Sequence, residues 1–180
     1  VNAKNNGGKT PLMMADDARG QYHIQKIIRT AGGTRGESPQ QLILRELCGL
    51  PETRPEVIQQ VLGLGVDINF MYESSRPSGF DHTPLHLAAR HIKDPDAIKV
   101  LIEAGADVNA KDGFGRTPLA WAAAYNENPA IITTLINAGA NANATDRMGQ
   151  TMLHDAAAHN KNPEVLTTLI KAGSDVNAKD

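Results

Sequence analysis

The stretch that decides the fold is TPLHLAARHIKDPDAIKVLIEAGADVN, residues 83–109. It recurs as TPLAWAAAYNENPAIITTLINAGANAN at 117–143 and as TMLHDAAAHNKNPEVLTTLIKAGSDVN at 151–177, so the period is 34 residues. The second proline keeps its place at 95, 129 and 163, and the Ala-Gly pair keeps its place at 104, 138 and 172. A fixed period of this size, with helix punctuation inside each unit, is typical of a solenoid of stacked repeats.

Each unit predicts two helices. Thr83 is a good N-cap, and Pro84 follows at the first helical position, where a missing N–H costs nothing. The short helix that follows is rich in alanine, which lets a neighbouring helix approach closely. Asp94 before Pro95 predicts the start of a second helix by the same logic, and Gly105 ends it in a left-handed conformation.

Four apolar columns mark the second helix of each unit. They are Ala97/Ile131/Val165, Ile98/Ile132/Leu166, Leu101/Leu135/Leu169 and Ile102/Ile136/Ile170. Their spacing of i, i+1, i+4 and i+5 makes one broad apolar stripe. Two helices of this size cannot bury their apolar faces alone, so neighbouring units must stack.

The combination of these features resembles the ankyrin repeat. TPLHLAA at 83–89 is followed by an apolar helix, then AGADVNAKDGFGR, then a second TPL, and the resemblance covers nearly all of residues 83–180 and returns at 1–33. It implies an all-α solenoid of antiparallel helix pairs joined by hairpin fingers, with a concave face that binds other proteins. It also implies a structural hydrogen-bonding role at the helix start for His86 and His154.

The whole chain is predicted to form one ankyrin repeat array. The approximate repeats are 1–33, 34–65, 66–105, 106–139 and 140–173, with 174–180 a partial finger. Because the chain begins and ends inside a finger, we expect a fragment of a longer protein. Gln25 and Arg29 interrupt the apolar stripe of repeat one, which indicates either an end cap or a loosened junction. Repeat two is irregular, since its first helix or the loop after it is five residues longer.

The connection between repeats two and three is also enlarged. Fourteen residues separate Asn69 from Thr83, where later fingers take eight. The added segment contains Phe70, Tyr72, Arg76 and Phe80, which includes three of the seven aromatic residues in the chain. A long connection in a compact array is usually functional or disordered. We favour a functional, exposed segment, because disordered tracts are poor in aromatics; the order of residues 70–81 is left open.

Residues that resemble chemical sites are better explained by the repeat. GGKT at 7–10 resembles the end of a phosphate-binding loop, but it occupies the same finger position as GFGRT at 113–117. His82, His86 and His91 have metal-like spacing, yet His82 precedes the helix cap, and a metal site needs three or four converging ligands. Cys48 is expected to be a buried apolar filler. No nucleophile sits beside a partnered base, so we expect no catalysis, no metal and no cofactor.

The amino-acid composition limits the classes of partner that the chain is expected to bind. The net charge is −2 and no basic block is present, which disfavours a nucleic-acid surface. No apolar run approaches 18 residues, and no signal-peptide pattern opens the sequence, so no membrane segment is predicted. We expect a monomer, with an intracellular location favoured and the compartment left open.

The expected partner is another protein. Trp121 either fills space between the first helices or forms the floor of the groove as a binding anchor. The resemblance places further groove and finger-tip residues at Arg90, His91, Tyr125, His159, Phe114, Arg116, Arg147 and Met148. Exposed Phe114 and Met148 would otherwise be left uncovered. The predicted surface combines these residues with Phe70, Tyr72, Arg76 and Phe80.

The predicted function is a non-catalytic scaffold that binds a partner protein through its concave face and fingers. A first alternative is a regulatory or targeting segment of a larger enzyme or effector protein. A second alternative, from another class, is a metal- or small-molecule-binding enzyme. Fold analogy indicates a mode of binding and does not name a ligand.

Overall fold

The structure, a computed structural model, describes residues 38–72 and 81–179. Eight helices lie in this part of the chain, and it contains no strand, only isolated bridges between Tyr72 and His82 and between Thr145 and Thr151. The helices are α1 (Pro39–Cys48), α2 (Pro55–Leu62), α3 (Pro84–His91), α4 (Pro95–Glu103), α5 (Pro118–Tyr125), α6 (Pro129–Asn137), α7 (Met152–His159) and α8 (Pro163–Lys171). The predicted all-α repeat fold is confirmed.

The helix starts follow the predicted cap-then-proline logic. Seven of the eight helices begin at a proline, and α7, which has Met152 there, is the exception. The side chains of Asp94, Asn128 and Asn162 each accept a backbone N–H two residues ahead. Where repeats three and four have Thr-Pro, repeat two has Ser38 before Pro39, and Ser38 closes a capping box with Gln41.

The helices pack in two rows. The first helices of the repeats, α1, α3, α5 and α7, contact one another in succession and form what we call the first-helix row. The second helices, α2, α4, α6 and α8, form the second-helix row. Ala88 and Ala89 of α3 are fully buried, which confirms that small residues sit where first helices meet.

The apolar columns fill the space between neighbouring repeats. The Leu101, Leu135 and Leu169 column is completely buried, as is the column that begins at Ala97. The fourth column departs from the predicted stripe in the last repeat, because Ile102 and Ile136 are half-buried whereas Ile170 is 49% exposed.

The five extra residues of repeat two divide between its helix and its loop. Helix α1 has 10 residues where α3 has 8, a difference of two. Six residues, 49–54, then separate α1 from α2, whereas three residues, 92–94, separate α3 from α4, a difference of three. The sequence left open which element carried the insertion, and both do.

Backbone hydrogen bonds join successive fingers. Gly113 N donates to Asp81 O and Arg147 N donates to Phe114 O, each at 2.9 Å. Gly115 turns its finger with a φ of 84°, and a Cβ there would lie 3.1 Å from Arg147 N. Gly105 and its counterparts also have positive φ, as predicted for helix stops.

Some sequence predictions fall outside the described residues. These are the reading of GGKT, the interruption at Gln25 and Arg29, and the positions of Arg76 and Phe80. Within the described ranges, no helix is long and apolar enough to cross a membrane.

Candidate protein-binding surface

A continuous row of rings and guanidinium groups crosses the fingers and the first-helix row. From the finger tip inward, the order is Phe114, Arg116, Trp121, Arg90, Tyr125 and His159. Arg116 Cζ lies 5.2 Å from the Phe114 ring centre and 5.4 Å from that of Trp121. Arg90 Cζ lies 5.8 Å from the Trp121 ring centre and 4.2 Å from that of Tyr125. Tyr125 and His159 have ring centres 6.0 Å apart. We call these six residues the stacked row.

The chain brings the stacked row together through its repeat geometry. Arg90 sits near the end of α3, Tyr125 ends α5 and His159 ends α7, so the three come from successive first helices. Phe114 and Arg116 belong to the finger before α5. A guanidinium over an aromatic face is attracted by the ring quadrupole within about 6 Å. The row therefore has a defined geometry before any partner binds.

Asp112 organises the finger end of the stacked row. Its carboxylate is 3% exposed and accepts hydrogen bonds from Trp121 Nε1 at 2.9 Å and from the Arg116 guanidinium at 2.8 and 2.9 Å. It also accepts the backbone N–H groups of Phe114 and Arg116. Burial opposes ionisation of this group, but donation from Trp121 and Arg116 outweighs it, so the pKa of Asp112 lies below its ordinary value.

Sequence reasoning missed Asp112, although a signal was present. An aspartate opens the finger turn in KDGFGR and again in TDRMGQ, 34 residues later. In the second finger, Asp146 Oδ1 accepts from Met148 N and Gln150 N, which repeats the arrangement. Asp before a glycine-containing turn is a common way to satisfy local backbone N–H groups.

Trp121 lies beneath the surface. It is 5% exposed, and the rings of His82 and His86 lie 5.2 and 5.5 Å from it. The sequence left two roles open for Trp121, a space-filling side chain between first helices or a binding anchor at the floor of the groove. Its burial supports the first role. Because little of its surface is open, Trp121 has almost no area to offer a partner, and it supports Arg90 and Arg116 from below.

The enlarged connection also turns inward at its described start. Tyr72 is 2% exposed, so its prediction as part of an exposed segment is wrong. Its ring meets Phe70 edge-on with centres 4.2 Å apart, and its hydroxyl donates to Gln41 O at 3.4 Å. Phe70 is only partly exposed and packs against the core. These two aromatics tie repeat three to α1.

The other predicted surface residues have different degrees of exposure. Tyr125 is 40% exposed, Phe114 36% and Met148 75%. Arg147 and His159 are exposed, whereas Arg90, His91 and Arg116 are partly buried. The structure thus joins five of the predicted residues with accessible surface in one line: Phe114, Arg116, Arg90, Tyr125 and His159. Arg147 and Met148 lie at the next finger tip.

His86 and His154 have a structural role at the helix starts. His86 is buried, its Nδ1 lies 3.2 Å from Thr83 N and 2.8 Å from Thr83 Oγ1, and its Nε2 lies 3.1 Å from Arg116 O. His154 repeats the first two contacts with Thr151. The predicted hydrogen-bonding role at the helix start is confirmed. Burial is the main reason why the pKa of His86 falls to about 4. Among the described residues, no group of three or more His, Cys, Asp or Glu could hold a metal.

The comparisons with known proteins agree with this architecture. A family model described as ankyrin repeats (3 copies) matches residues 52–146 and 85–180. The fold and its finger-lined surface are those of a helical repeat protein, and the chain belongs to the ankyrin repeat family. Ankyrin repeats are generally protein–protein interaction modules and are typically non-catalytic. No curated protein matches the sequence.

Proposed function

We propose that this chain is a non-catalytic module that binds one partner protein across its first-helix row and finger tips, in repeats three to five. The observation that carries the proposal is the stacked row, which keeps aromatic rings accessible on either side of its buried Trp121. Tyr125 and Phe114 remain 40% and 36% exposed although each is in contact with a guanidinium group. Aromatic and arginine side chains are the types enriched at interface centres.

Preorganisation favours this surface as a binding site. A flexible side chain loses about 0.5–1.5 kcal/mol of conformational freedom when it is immobilised on binding. Arg116 is already held by Asp112, and Arg90 already lies over Tyr125, so much of this cost is met during folding. A partner would therefore meet a surface whose anchors need little rearrangement.

The second-helix row offers no comparable surface. Ile170 is its large apolar side chain with substantial exposure, at 49%. The other outward positions are polar: Lys99, Glu103, Thr133, Asn137 and Lys171. Long charged side chains are depleted at interface centres because they are costly to desolvate and to order. The difference between the two rows supports a partner on the first-helix side.

The test needs a partner and variants of matched exposure. Affinity purification with mass spectrometry from the source cells identifies the partner, and isothermal titration calorimetry then measures its dissociation constant. We expect Tyr125→Ala and Phe114→Ala each to weaken binding by roughly tenfold or more, in the range of interface hot spots. Lys99→Glu and Lys171→Glu serve as controls on the other row and should change affinity less than about threefold.

The reverse pattern would contradict the proposed surface. If the second-helix variants abolish binding while Tyr125→Ala and Phe114→Ala do not, the partner lies on the opposite row. Trp121→Ala is unsuitable for this test, because removal of a buried side chain alters stability as well as binding. Trimming residues 70–81 has the same defect, because it removes the buried Tyr72.

A further inference from the structure

Arg90 differs from the other arginine of the stacked row in how its charge is satisfied. Arg116 pairs with Asp112 at 2.8 Å. Arg90 lies partly buried against Tyr125 and Trp121, and among residues 38–72 and 81–179 no carboxylate lies within 4.0 Å of its guanidinium. Its N–H groups also make no hydrogen bond to these residues. Arg90 is therefore a fixed cation without a counter-charge in the described part of the chain.

The guanidinium of Arg90 has a fixed neighbour but N–H donors that no described residue uses. Its Cζ lies over the Tyr125 ring, 4.2 Å from the ring centre. The five N–H donors of an arginine point outward in the plane of that group, in a fork that matches a carboxylate. Charge-assisted pairs of this kind are about twice as strong as neutral hydrogen bonds. Arg90 supplies the cationic donor of such a pair, and the carboxylate has to come from the partner.

The electrostatic surroundings agree with an uncompensated cation. Neighbouring His91 has a pKa below its ordinary value, first because of burial and then because of the charge of Arg90. Burial raises the pKa of Asp155, the carboxylate of α7, and the charged groups that act on it are Arg116, Asp146, His159 and His154. The surroundings of Arg90 thus favour a negative group, and residues 38–72 and 81–179 supply none within 4.0 Å.

We propose that Arg90 receives the carboxylate of an aspartate or glutamate side chain within the partner protein, while an adjacent apolar side chain of that partner covers Tyr125. This inference rests on the proposed function and names the chemistry of its partner. An internal acidic residue is favoured over a terminal carboxylate because the stacked row continues on both sides of Arg90. A segment that follows the row, from Phe114 to His159, passes over Arg90 in its middle.

The experiment uses a phage-displayed library of random 16-residue peptides, selected on the full chain. We expect enriched peptides to share one acidic residue next to an apolar one. A synthetic peptide from the selection is then measured by calorimetry against the wild-type chain and against Arg90→Gln. The loss should be at least about tenfold, as for removal of one partner of a charge-assisted pair. Arg54→Gln, at an exposed arginine before α2 and away from the first helices and finger tips of repeats three to five, is the matched control and should change the affinity by less than about twofold.

A double-mutant cycle separates a direct contact from a general effect of charge. Replacing the acidic residue of the peptide by its amide should cost about as much as Arg90→Gln, and the two losses should not add. The exchanged pair, Arg90→Glu with a lysine in the peptide, should recover part of the affinity. Circular dichroism of each variant checks that the fold is retained.

The possible failures are distinguishable. If enriched peptides need Tyr125 but show no acidic preference, or if Arg90→Gln binds them unchanged, the inference about Arg90 is overturned and the proposed surface stands. If the peptides prefer a free C-terminal carboxylate, the internal acidic residue is wrong. Peptides that depend on Lys99 or Lys171 instead, or a selection that enriches nothing, contradict both the inference and the proposed function.

Discussion

The junction between repeats two and three is built differently from those between repeats three, four and five. In the later junctions, an asparagine in the helix–helix loop reaches back to cap the previous repeat. Asn126 Nδ2 donates to Ala89 O and Ile92 O, and Asn160 Nδ2 donates to Ala123 O and Asn126 O. Two residues later in each loop, a second asparagine also donates to the previous repeat. Asn128 Nδ2 donates to Lys93 O, and Asn162 Nδ2 donates to Glu127 O.

The earlier junction lacks these amides. The corresponding positions carry Ile92, which is fully buried, and Asp94, which caps its own helix. The carbonyl of Leu47 at the end of α1 is instead capped from within repeat two, by Thr53 Oγ1 at 2.6 Å. Across the boundary, Lys93 N donates to Pro51 O, and an exposed ion pair joins Lys93 and Glu52.

This difference affects how strongly the unfolding of one repeat is coupled to that of its neighbour. A cap donated by the next repeat is lost whenever that repeat unfolds, so it couples the two units. A cap within the same repeat persists without its neighbour and gives no coupling. Repeats three to five should therefore behave as one cooperative block, with repeat two joined to it by apolar packing and by fewer capping hydrogen bonds from the helix–helix loop.

The largest expected effect is at Asn126. We predict that Asn126→Ala lowers the free energy of unfolding by about 2–4 kcal/mol, because two buried carbonyls lose their donor at once. Hydrogen exchange should show faster exchange in both α3 and α5, since the bond crosses the boundary. Chemical denaturation followed by circular dichroism gives the stability change.

Thr53→Val is the matched variant for the junction between repeats two and three. It removes one buried hydroxyl while keeping the side-chain shape, and its cost of about 1–3 kcal/mol should fall on repeat two alone. Increased exchange in α1 with unchanged exchange in α5 is the expected result. Equal loss of protection in α1 and α5 would mean that the two junctions couple in the same way.

Protonation of His86 is expected to have a smaller effect on the stability of the fold. Its Nδ1 accepts from Thr83 N, so Nε2 carries the proton and donates to Arg116 O across the boundary. The pKa is about 4 in the folded chain against an ordinary 6.5, so the unfolded chain binds more protons between these values. Stability is then full above about pH 6.5 and is lost as pH falls, by about 2 kcal/mol at pH 5.

The measurement is denaturant unfolding between pH 7.5 and 5. His86→Gln should reduce the pH dependence, whereas His154→Gln, at the same position in the last repeat but only half-buried, is the control. If the slope of stability against pH is the same in wild type and His86→Gln, protonation of another group accounts for it.

The smallest effect should come from the ion pair across the earlier junction. Lys93 Nζ and Glu52 Oε1 are 3.3 Å apart, but both side chains are mostly exposed. We predict that Glu52→Gln changes stability by less than about 1 kcal/mol and that added salt removes the difference. A change larger than that of Thr53→Val would show that charge, rather than packing, holds repeat two to repeat three.

Local signals in the sequence were enough to determine the repeat itself. Thr83 with Pro84 starts a first helix, Asp94 with Pro95 starts a second, and Gly105 ends it. Each signal acts through atoms only a few residues apart, so the sequence determined the helices, their order and the ankyrin fold without knowledge of the neighbouring repeats. It also determined the residue types that populate the finger tips and the ends of the first helices.

Only the tertiary structure decided which of those side chains are accessible. Tyr72 is buried against α1 although it was predicted to lie in an exposed segment, and Trp121, for which the sequence left two roles open, is buried beneath Arg90. Both side chains contact residues about 30 positions away along the chain. The exposed fraction of each therefore depends on which side chains of the adjacent repeat pack against it. Asp112 is held by Trp121, nine residues away, while Arg90 pairs with no carboxylate in the part of the chain that the structure describes. Periodicity predicts that repeats stack; the side chains of two different repeats together decide what the stacked surface presents.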